Sequence, residues 1–328
     1  MVEIKETIVK KIEQYENIAI FFHELPDLDA LGSCYGLLYF LKAKYPSKDV
    51  RIIGLDTLSS QFQSNLFYFD KKHVPNDFLA NSLGIILDTA NASRIWSGRH
   101  NYCRELIRID HHPKLETVAD YEWVDDTYCA TAEMMAELLF EWDYNSILIP
   151  TCNCLYAGLL TDTGRFLYPS VTPKTYAIAS KLVEKGCNRK KVHDAIYLKD
   201  VDQTRFSSYV LKKAHFDKDI GFAWAKLGKN SFDRYGVKLR MSMVHVLNNI
   251  KGMNIWLTFY YDNVLKVWKG SIRSNKLPIN QIAEKYHGGG HKLAAGVTIK
   301  KYKEFQMIIN DIKEYLKANI PHLTTTKE

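Results

Sequence analysis

The chain has 328 residues and a formal net charge of +7, and this length allows two domains with a substantial core in each. It contains no run of about 18 apolar residues, which excludes a membrane-spanning helix, and no amino-terminal signal-peptide pattern. The six cysteines form no Cys-x-x-Cys pair, which argues against a zinc or thiol-redox site. We therefore expect a soluble cytoplasmic protein that does not bind membranes.

The first two thirds of the chain predict helices that alternate with strands. Residues 18–22 predict a buried strand because the run is short, apolar and rich in β-branched and aromatic residues, and apolar residues recur at helical spacing from Leu28 onward. Further strands are predicted at residues 50–54, 84–88, 106–109 and 121–124, and further helices at residues 1–17, 131–142, 153–163, 173–185, 188–198 and 200–215. This alternation is typical of an α/β domain with a mainly parallel sheet.

The turn after the first predicted strand carries three candidate ligands. His23, Asp27 and Asp29 lie between that strand and the next helix, and Pro26 separates the two elements. In an open α/β sheet such a turn lies at the carboxyl end of a strand, where ligands bind. Carboxylates and an imidazole are good ligands for divalent cations. Aspartates also commonly cap helices, so these residues alone support capping and metal binding equally.

Three later segments add further acids and histidines. Asp88 ends the third predicted strand, and Asp162 lies near the end of a predicted helix. Asp110, His111 and His112 follow the fourth strand. The strand ends of a mainly parallel sheet meet at one edge, so ligands that are distant in sequence come together in space. The coincidence of four such segments predicts one site at this edge.

The last third of the chain differs in pattern and in charge. From Phe216 to the end there are 19 Lys and Arg against 9 Asp and Glu, whereas residues 1–215 have 25 against 28. Strands are predicted at residues 220–225, 255–261 and 264–273, the last two joined by a hairpin. A basic lobe beside an acid-containing one suits an anionic substrate, although an ordinary lysine-rich surface would give the same balance.

A glycine cluster near the end of the chain is the second candidate binding site. Gly288, Gly289 and Gly290 precede His291. Consecutive glycines let the backbone approach a ligand and turn its N–H groups towards an anion, with Arg273 and His291 as side-chain partners. A flexible turn is the equally supported alternative. The run has no preceding strand and no Lys-Ser/Thr pair, so it is not a nucleotide P-loop.

Together these residues resemble the DHH phosphoesterase family with its appended DHHA1 substrate-binding domain. The motifs occur in the family's order and span nearly the whole chain: His23-x-x-x-Asp27-x-Asp29, Asp88, Asp110-His111-His112, Asp162 and Gly288-Gly-Gly-His291. The resemblance implies an α/β DHH domain with a mainly parallel sheet at residues 1–187. A helical linker at 188–215 and a smaller, mixed-sheet α/β DHHA1 domain at 216–328 would follow.

The resemblance also implies a site for two divalent metal ions, most often Mn²⁺, with Mg²⁺ or Co²⁺ as alternatives. The implied ligands of one ion are His23, Asp27 and Asp88, and those of the other are Asp29, Asp88, His111 and Asp162. Asp110 would orient a histidine, and His112 would lie towards the scissile phosphate or the leaving oxygen. The implied catalytic residues are therefore His112, Asp110 and Asp29, and the implied phosphate-binding residues are Arg273, Gly288, Gly289, Gly290 and His291.

The implied activity is hydrolysis of very short RNA to mononucleotides, because the short linker and small second domain look most like the nanoRNase branch of the family. Members of that branch also remove the 3′-phosphate of adenosine 3′,5′-bisphosphate (pAp). Cyclic or linear dinucleotides are alternative substrates, and single-stranded DNA is a third. A non-catalytic nucleotide-binding module is the alternative from another class. An apolar patch on the first domain could support a homodimer.

Overall fold

A computed structural model describes residues 2–58, 66–237 and 242–324. The chain divides into two units, Met1–Leu198 and Lys199–Glu328. In the described part of the chain, no helix is both long enough and apolar enough to cross a membrane.

The first unit is built on a sheet of five parallel strands. These strands are β1 (Asn17–Phe21), β2 (Asp49–Ile52), β3 (Ser82–Leu87), β4 (Glu105–Asp110) and β5 (Tyr121–Val124), in the spatial order β2-β1-β3-β4-β5. The α-helices of this unit are α1 (Val2–Gln14), α2 (Leu28–Lys44), α3 (Asn76–Ala80), α4 (Thr131–Asp143), α5 (Ile149–Asp162), α6 (Pro173–Glu184) and α7 (Arg189–Tyr197). The prediction of a mainly parallel α/β sheet is confirmed.

The order of the strands determines where a ligand can bind. The connection that follows β1 leads to β2 on one side of the sheet, whereas the connection that follows β3 leads to β4 on the other side, so the chain leaves these two adjacent strands in opposite directions. In a sheet of this order the ligand crevice lies at the carboxyl ends of β1 and β3. His23 and Asp88 follow these two strands in the sequence.

Two elements of the first unit differ from the sequence prediction. α5 begins at Ile149, earlier than the predicted start at residue 153, because Pro150 lies in the first turn, where a missing N–H breaks no helical hydrogen bond. The short helix α3 was not predicted, since five residues are too few to show helical periodicity.

The second unit contains a six-stranded mixed sheet in the order β10-β11-β9-β8-β7-β6, in which β7 and β8 are parallel and the other neighbouring pairs antiparallel. Its elements in chain order are α8 (Val201–Lys213), β6 (His215–Asp217), β7 (Phe222–Lys226), α9 (Ser231–Arg234), β8 (Ile255–Asp262), β9 (Val267–Ser274), α10 (Asn280–Glu284), β10 (Gly289–His291), β11 (Ala294–Ile299) and α11 (Tyr302–Thr324). The mixed sheet and the β8–β9 hairpin confirm the prediction. The two helices of the predicted linker, α7 and α8, lie on either side of the division after Leu198.

Helices cover both faces of this mixed sheet. Phe305 and Ile308 of α11 lie in a buried cluster with Leu257 of β8. Phe206 of α8 lies in a separate buried cluster with Trp256 of β8. Because neighbouring residues of a strand point to opposite faces, α11 and α8 pack on opposite sides of the sheet.

The glycine cluster forms an edge strand rather than a flexible turn. Gly289 and Gly290 belong to β10, which pairs with β11 and ends the sheet. Gly290 has a φ of +139°, and a Cβ there would lie 2.5 Å from the carbonyl oxygen of Ala294. At Gly288 a Cβ would lie 1.9 Å from the carbonyl oxygen of Gly296. Close backbone packing therefore requires glycine at both positions.

Candidate metal centre

The acids and histidines from four sequence segments lie together at the carboxyl edge of the parallel sheet. His23 and Asp88 follow β1 and β3, and Asp110 is the last residue of β4, with His111 and His112 after it. The others belong to helix ends: Asp27 precedes α2, Asp29 is in its first turn and Asp162 is the last residue of α5. Strand order and helix packing thus bring distant residues into one place.

Asp27 and Asp29 have different partners although they are close in sequence. Asp27 caps α2 by accepting hydrogen bonds from the backbone N–H groups of Asp29 and Ala30, each 3.0 Å long. Asp29 is fully buried and accepts from the N–H groups of Thr131 and Ala132, at 2.7 and 2.9 Å. The capping interpretation of Asp27 is correct, and its carboxylate also faces His23.

A first group of possible ligands consists of His23, Asp27 and Asp88. His23 Nε2 lies 3.7 Å from Oδ2 of Asp27 and 3.5 Å from Oδ2 of Asp88. All three residues offer a ligand atom within 4.8 Å of the others. This is the set that the family resemblance implied for the first ion.

A second group lies around His111. Its Nε2 atom is 3.4 Å from Oδ2 of Asp162, 3.5 Å from Oδ1 of Asp88 and 4.0 Å from Oδ2 of Asp29. Asp29, His111 and Asp162 also offer ligand atoms within 4.8 Å of one another. Asp88 thus presents Oδ2 to the first group and Oδ1 to the second. Its backbone has a φ of +56°, which is uncommon for a residue with a side chain and is typical of functional sites.

Hydrogen bonds to backbone carbonyls fix which nitrogen of each histidine is available as a ligand. Nδ1 of His23 lies 2.7 Å from the carbonyl oxygen of Glu24, and Nδ1 of His111 lies 3.4 Å from that of Tyr128. A carbonyl can only accept, so each Nδ1 carries the proton and each Nε2 faces the carboxylates. This arrangement is usual for metal-binding histidines.

Asp110 does not face the groups around Asp88 directly but supports His112. Its Oδ1 lies 2.7 Å from Nδ1 of His112, and its Oδ2 accepts a 2.6 Å hydrogen bond from Nη2 of Arg108. Arg108 is fully buried and also donates to the carbonyl oxygens of Glu116 and Ala90. His112 itself has Nδ1 3.6 Å from Oδ1 of Asp88.

Sequence reasoning missed three residues of this site: Arg108, Thr131 and Tyr128. Arg108 interrupts an otherwise apolar strand, and a charged side chain in a buried strand needs a partner, so a signal for it existed. Thr131 donates its hydroxyl hydrogen bond to Asp88 over 3.1 Å, and Tyr128 acts only through its carbonyl oxygen. Neither of these roles has a sequence pattern.

The electrostatics of the centre favour bound cations. Burial, followed by the charges of Asp88, Asp162 and Asp27, raises the pKa of Asp29 well above its usual value. Burial alone would lower the pKa of His23, but hydrogen bonds to Asp27 and Asp88 outweigh it and raise that pKa to about 10. Asp29 and His23 thus bind protons more readily than usual when no cation is bound. Oxygen and imidazole donors without a thiol suit Mn²⁺, Mg²⁺ or Co²⁺, so the residues fit the implied ions.

The Asp162→Asn variant of the metal-free protein is expected to be more stable than the wild type at about pH 8 and similar to it at about pH 4. Burial and the charges of Asp27 and Asp88 raise the pKa of Asp162 from 3.8 to about 8. A carboxyl whose pKa is higher in the folded state contributes its full stabilisation at pH values below its unfolded-state pKa. This contribution is lost as the pH rises through the folded-state pKa. Thermal unfolding of chelator-treated proteins over this pH range measures the difference. Parallel curves for the two proteins would contradict the expectation.

The implied phosphate-binding residues lie on β9 and β10 of the second unit, which β11 separates, with Gly288 directly before β10. Arg273 is in β9, and its Nη1 donates to the carbonyl oxygen of Ile272 over 2.9 Å. The register aligns Arg273 with Ala294 of β11, and Ala294 with His291 of β10. Two steps of about 4.8 Å between strands therefore separate the backbone of Arg273 from that of His291.

The fold and the grouped acids and histidines define a phosphoesterase of the DHH type. Residues 17–159 match the DHH family, N-terminal domain, and residues 238–318 match the DHHA1 domain. The chain belongs to the DHH family, as its motifs predicted, and this is a family of metal-dependent phosphoesterases.

Relatives of known sequence cover almost the whole chain. Over 307 residues it is 40% identical to the uncharacterized protein MG371 of Mycoplasma genitalium, covering 94% of each chain. Over 324 residues it is 30% identical to the bifunctional oligoribonuclease and PAP phosphatase NrnA of Bacillus subtilis, covering 96% of this chain and 100% of the relative. An exopolyphosphatase-related protein from Bacteroides fragilis has the same fold, with a TM-score of 0.84, 24% identity and coverage of 97% and 98%.

Proposed function

We propose that this protein is a two-metal phosphodiesterase that hydrolyses very short oligoribonucleotides to mononucleotides and removes the 3′-phosphate of pAp. The observation that carries the proposal is the shared carboxylate of Asp88, with one oxygen 3.5 Å from His23 and the other 3.5 Å from His111. A carboxylate between two ligand groups suits a pair of divalent ions. The similarity to a relative named for both activities supports the choice of substrates.

Under this proposal the chain's own residues hold the ions at the ends of the strands. His23, Asp27 and Asp88 would hold one ion, most often Mn²⁺, and Asp29, His111 and Asp162 would hold the other together with Asp88. When bound, such ions stabilise charge on the phosphate and acidify a water molecule. No side-chain nucleophile is then required.

His112 is suited to give a proton to the leaving oxygen. Burial alone would lower its pKa, but the hydrogen bond to Asp110 and the charges of Asp88 and Asp110 raise it. These contacts therefore favour the imidazolium form more than in a free histidine. Asp110, which Arg108 holds in turn, keeps the proton of Nδ1 in place and so sets the orientation of the ring.

The second unit would bind the nucleotide phosphate through Arg273, His291 and the glycines of β10. An arginine can bind a phosphate with two parallel hydrogen bonds. At Gly289 an added Cβ would meet no atom of the described residues within 4 Å, which leaves room for a ligand beside the backbone there. The basic charge of this part of the chain, 19 Lys and Arg against 9 Asp and Glu from Phe216 onward, favours an anionic substrate.

A panel of substrates with each metal ion tests the proposal. The panel contains a 5′-labelled RNA trinucleotide, the dinucleotide pApA, cyclic di-AMP, pAp and a long single-stranded DNA. We expect mononucleotides from the trinucleotide and loss of phosphate from pAp, with Mn²⁺, Mg²⁺ or Co²⁺ present and not with a chelator. An intact trinucleotide beside cleaved cyclic di-AMP or cleaved DNA would contradict the proposed substrate class.

The cytoplasmic location and the homodimer stay predictions.

A further inference from the structure

Thr131, the first residue of α4, contacts two different carboxylates of the metal centre. Its backbone N–H donates to Oδ2 of Asp29 over 2.7 Å, and its hydroxyl donates to Oδ1 of Asp88 over 3.1 Å. The residue is fully buried, as is Asp29, and Asp88 is nearly so. One threonine therefore connects the aspartate at the start of α2 with the aspartate after β3.

The backbone of Thr131 belongs to a helix start that has no cap of its own. The residue before α4 is Ala130, which has no side-chain acceptor. The two carboxylate oxygens of Asp29 accept the N–H groups of Thr131 and Ala132 instead. These two contacts fix the position of the Asp29 carboxylate at the helix amino terminus, where a negative charge is favoured.

The position of Asp29 is further restricted by α5. A Cβ added at Gly158 would lie 2.7 Å from Oδ1 of Asp29 and 2.8 Å from the Cβ of Ala132. Gly158 therefore packs directly against the aspartate and the helix start that holds it. Backbone contacts alone fix Asp29, which leaves the hydroxyl of Thr131 for Asp88.

The hydroxyl determines which way the carboxylate of Asp88 points. A carboxylate can only accept, so Thr131 is the donor of this hydrogen bond. Oδ2 of Asp88 faces His23 at 3.5 Å, while Oδ1 faces His111 at 3.5 Å. If the carboxylate of Asp88 rotated out of this orientation, it would lose the hydrogen bond from Thr131, and one of its oxygens would no longer face its ligand group.

We propose that Thr131 is a positioning residue of the metal centre, whose hydroxyl holds Asp88 in the orientation that serves both ligand groups. It touches neither the substrate nor the reacting atoms and acts through Asp88. The inference rests on the proposed function in so far as the bound cations are those used in the reaction. Loss of a group that orients a metal ligand typically weakens metal affinity or activity by about 10–100-fold.

The test compares Thr131→Val with Thr131→Ser. Valine keeps the shape and the backbone N–H but removes the hydroxyl, whereas serine keeps the hydroxyl. Calorimetric titration of the metal-free proteins with Mn²⁺ is expected to show about 10–100-fold weaker binding for the valine variant and wild-type binding for serine. With RNA trinucleotide the valine variant should lose kcat at an unchanged KM. Thr151→Val is the matched control, because Thr151 is a buried threonine whose hydroxyl has no hydrogen-bond partner among the described residues.

Two results would overturn the inference: wild-type Mn²⁺ binding by Thr131→Val, or an equal loss in Thr131→Val and Thr131→Ser. If circular dichroism shows that the valine variant does not fold, Thr131→Ala replaces it, since alanine and serine differ by the hydroxyl oxygen alone. Weaker binding by alanine than by serine supports the inference, and equal binding overturns it. A different result would show that the proposed function is wrong: the wild-type protein would bind Mn²⁺ but cleave no RNA.

Discussion

Asp88→Asn is expected to lower kcat on an RNA trinucleotide by at least about 10³-fold. Metal ions supply several kcal/mol of transition-state stabilisation, and a loss of about 4 kcal/mol corresponds to this factor. Asp88 is the carboxylate common to both ligand groups, so the substitution affects both. Asparagine keeps the shape and an oxygen that can accept the hydrogen bond from Thr131, so the fold should persist. Steady-state kinetics with saturating Mn²⁺ measure the effect.

The thermal stability of this variant separates a defect in the metal centre from a folding defect. Removal of one charge from a crowded group of carboxylates should leave the melting temperature of the metal-free protein unchanged or raise it. Asp126→Asn, an exposed aspartate of the same unit, is the matched control and should retain full activity. Wild-type kcat in Asp88→Asn would remove Asp88 from the metal centre.

Arg108→Met is expected to lower the free energy of unfolding of the first unit by about 3–5 kcal/mol, because it breaks a buried ion pair. The substitution removes the arginine that pairs with Asp110 at 2.6 Å and with Glu122 at 3.6 Å, and it leaves only His112 beside Asp110. In a unit of this size such a loss corresponds to a melting temperature lower by roughly 6–20 °C. Activity should fall as well, since Asp110 orients His112. Differential scanning calorimetry measures the change in stability.

A surface ion pair provides the control for this substitution. Arg51 pairs with Asp49 at 2.6 Å, but the side chain of Arg51 is 40% exposed and that of Asp49 is 44% exposed. Exposed pairs contribute about 0–1 kcal/mol, so Arg51→Met should change the melting temperature little. Equal effects of Arg108→Met and Arg51→Met would contradict the structural role of the buried pair.

Local patterns in the sequence predicted the elements that build the first unit and its site. Short apolar runs gave the parallel strands, and acids after those runs indicated the edge where His23 and Asp88 lie. The same reasoning could have identified α11, because Phe305, Ile308, Ile309, Ile312 and Leu316 recur at helical spacing. This helix was not among the predicted elements.

The contacts that support the metal centre could not be predicted in the same way. The hydrogen bonds of Thr131 join it to residues 102 and 43 positions away, and no local pattern encodes such a distance. The glycine cluster also required the structure, because its close packing depends on the carbonyl oxygens of β11 rather than on its own residues. Motif order indicated the candidate ligands, and only packing revealed what holds them.

Anomalous X-ray diffraction from crystals grown with Mn²⁺ would locate bound ions and their ligands in one experiment. We expect two manganese peaks in the first unit, one contacted by His23 and Asp27 and one by His111 and Asp162, with Asp88 contacting both. Manganese bound elsewhere, or a single ion that leaves either ligand group empty, would contradict this expectation.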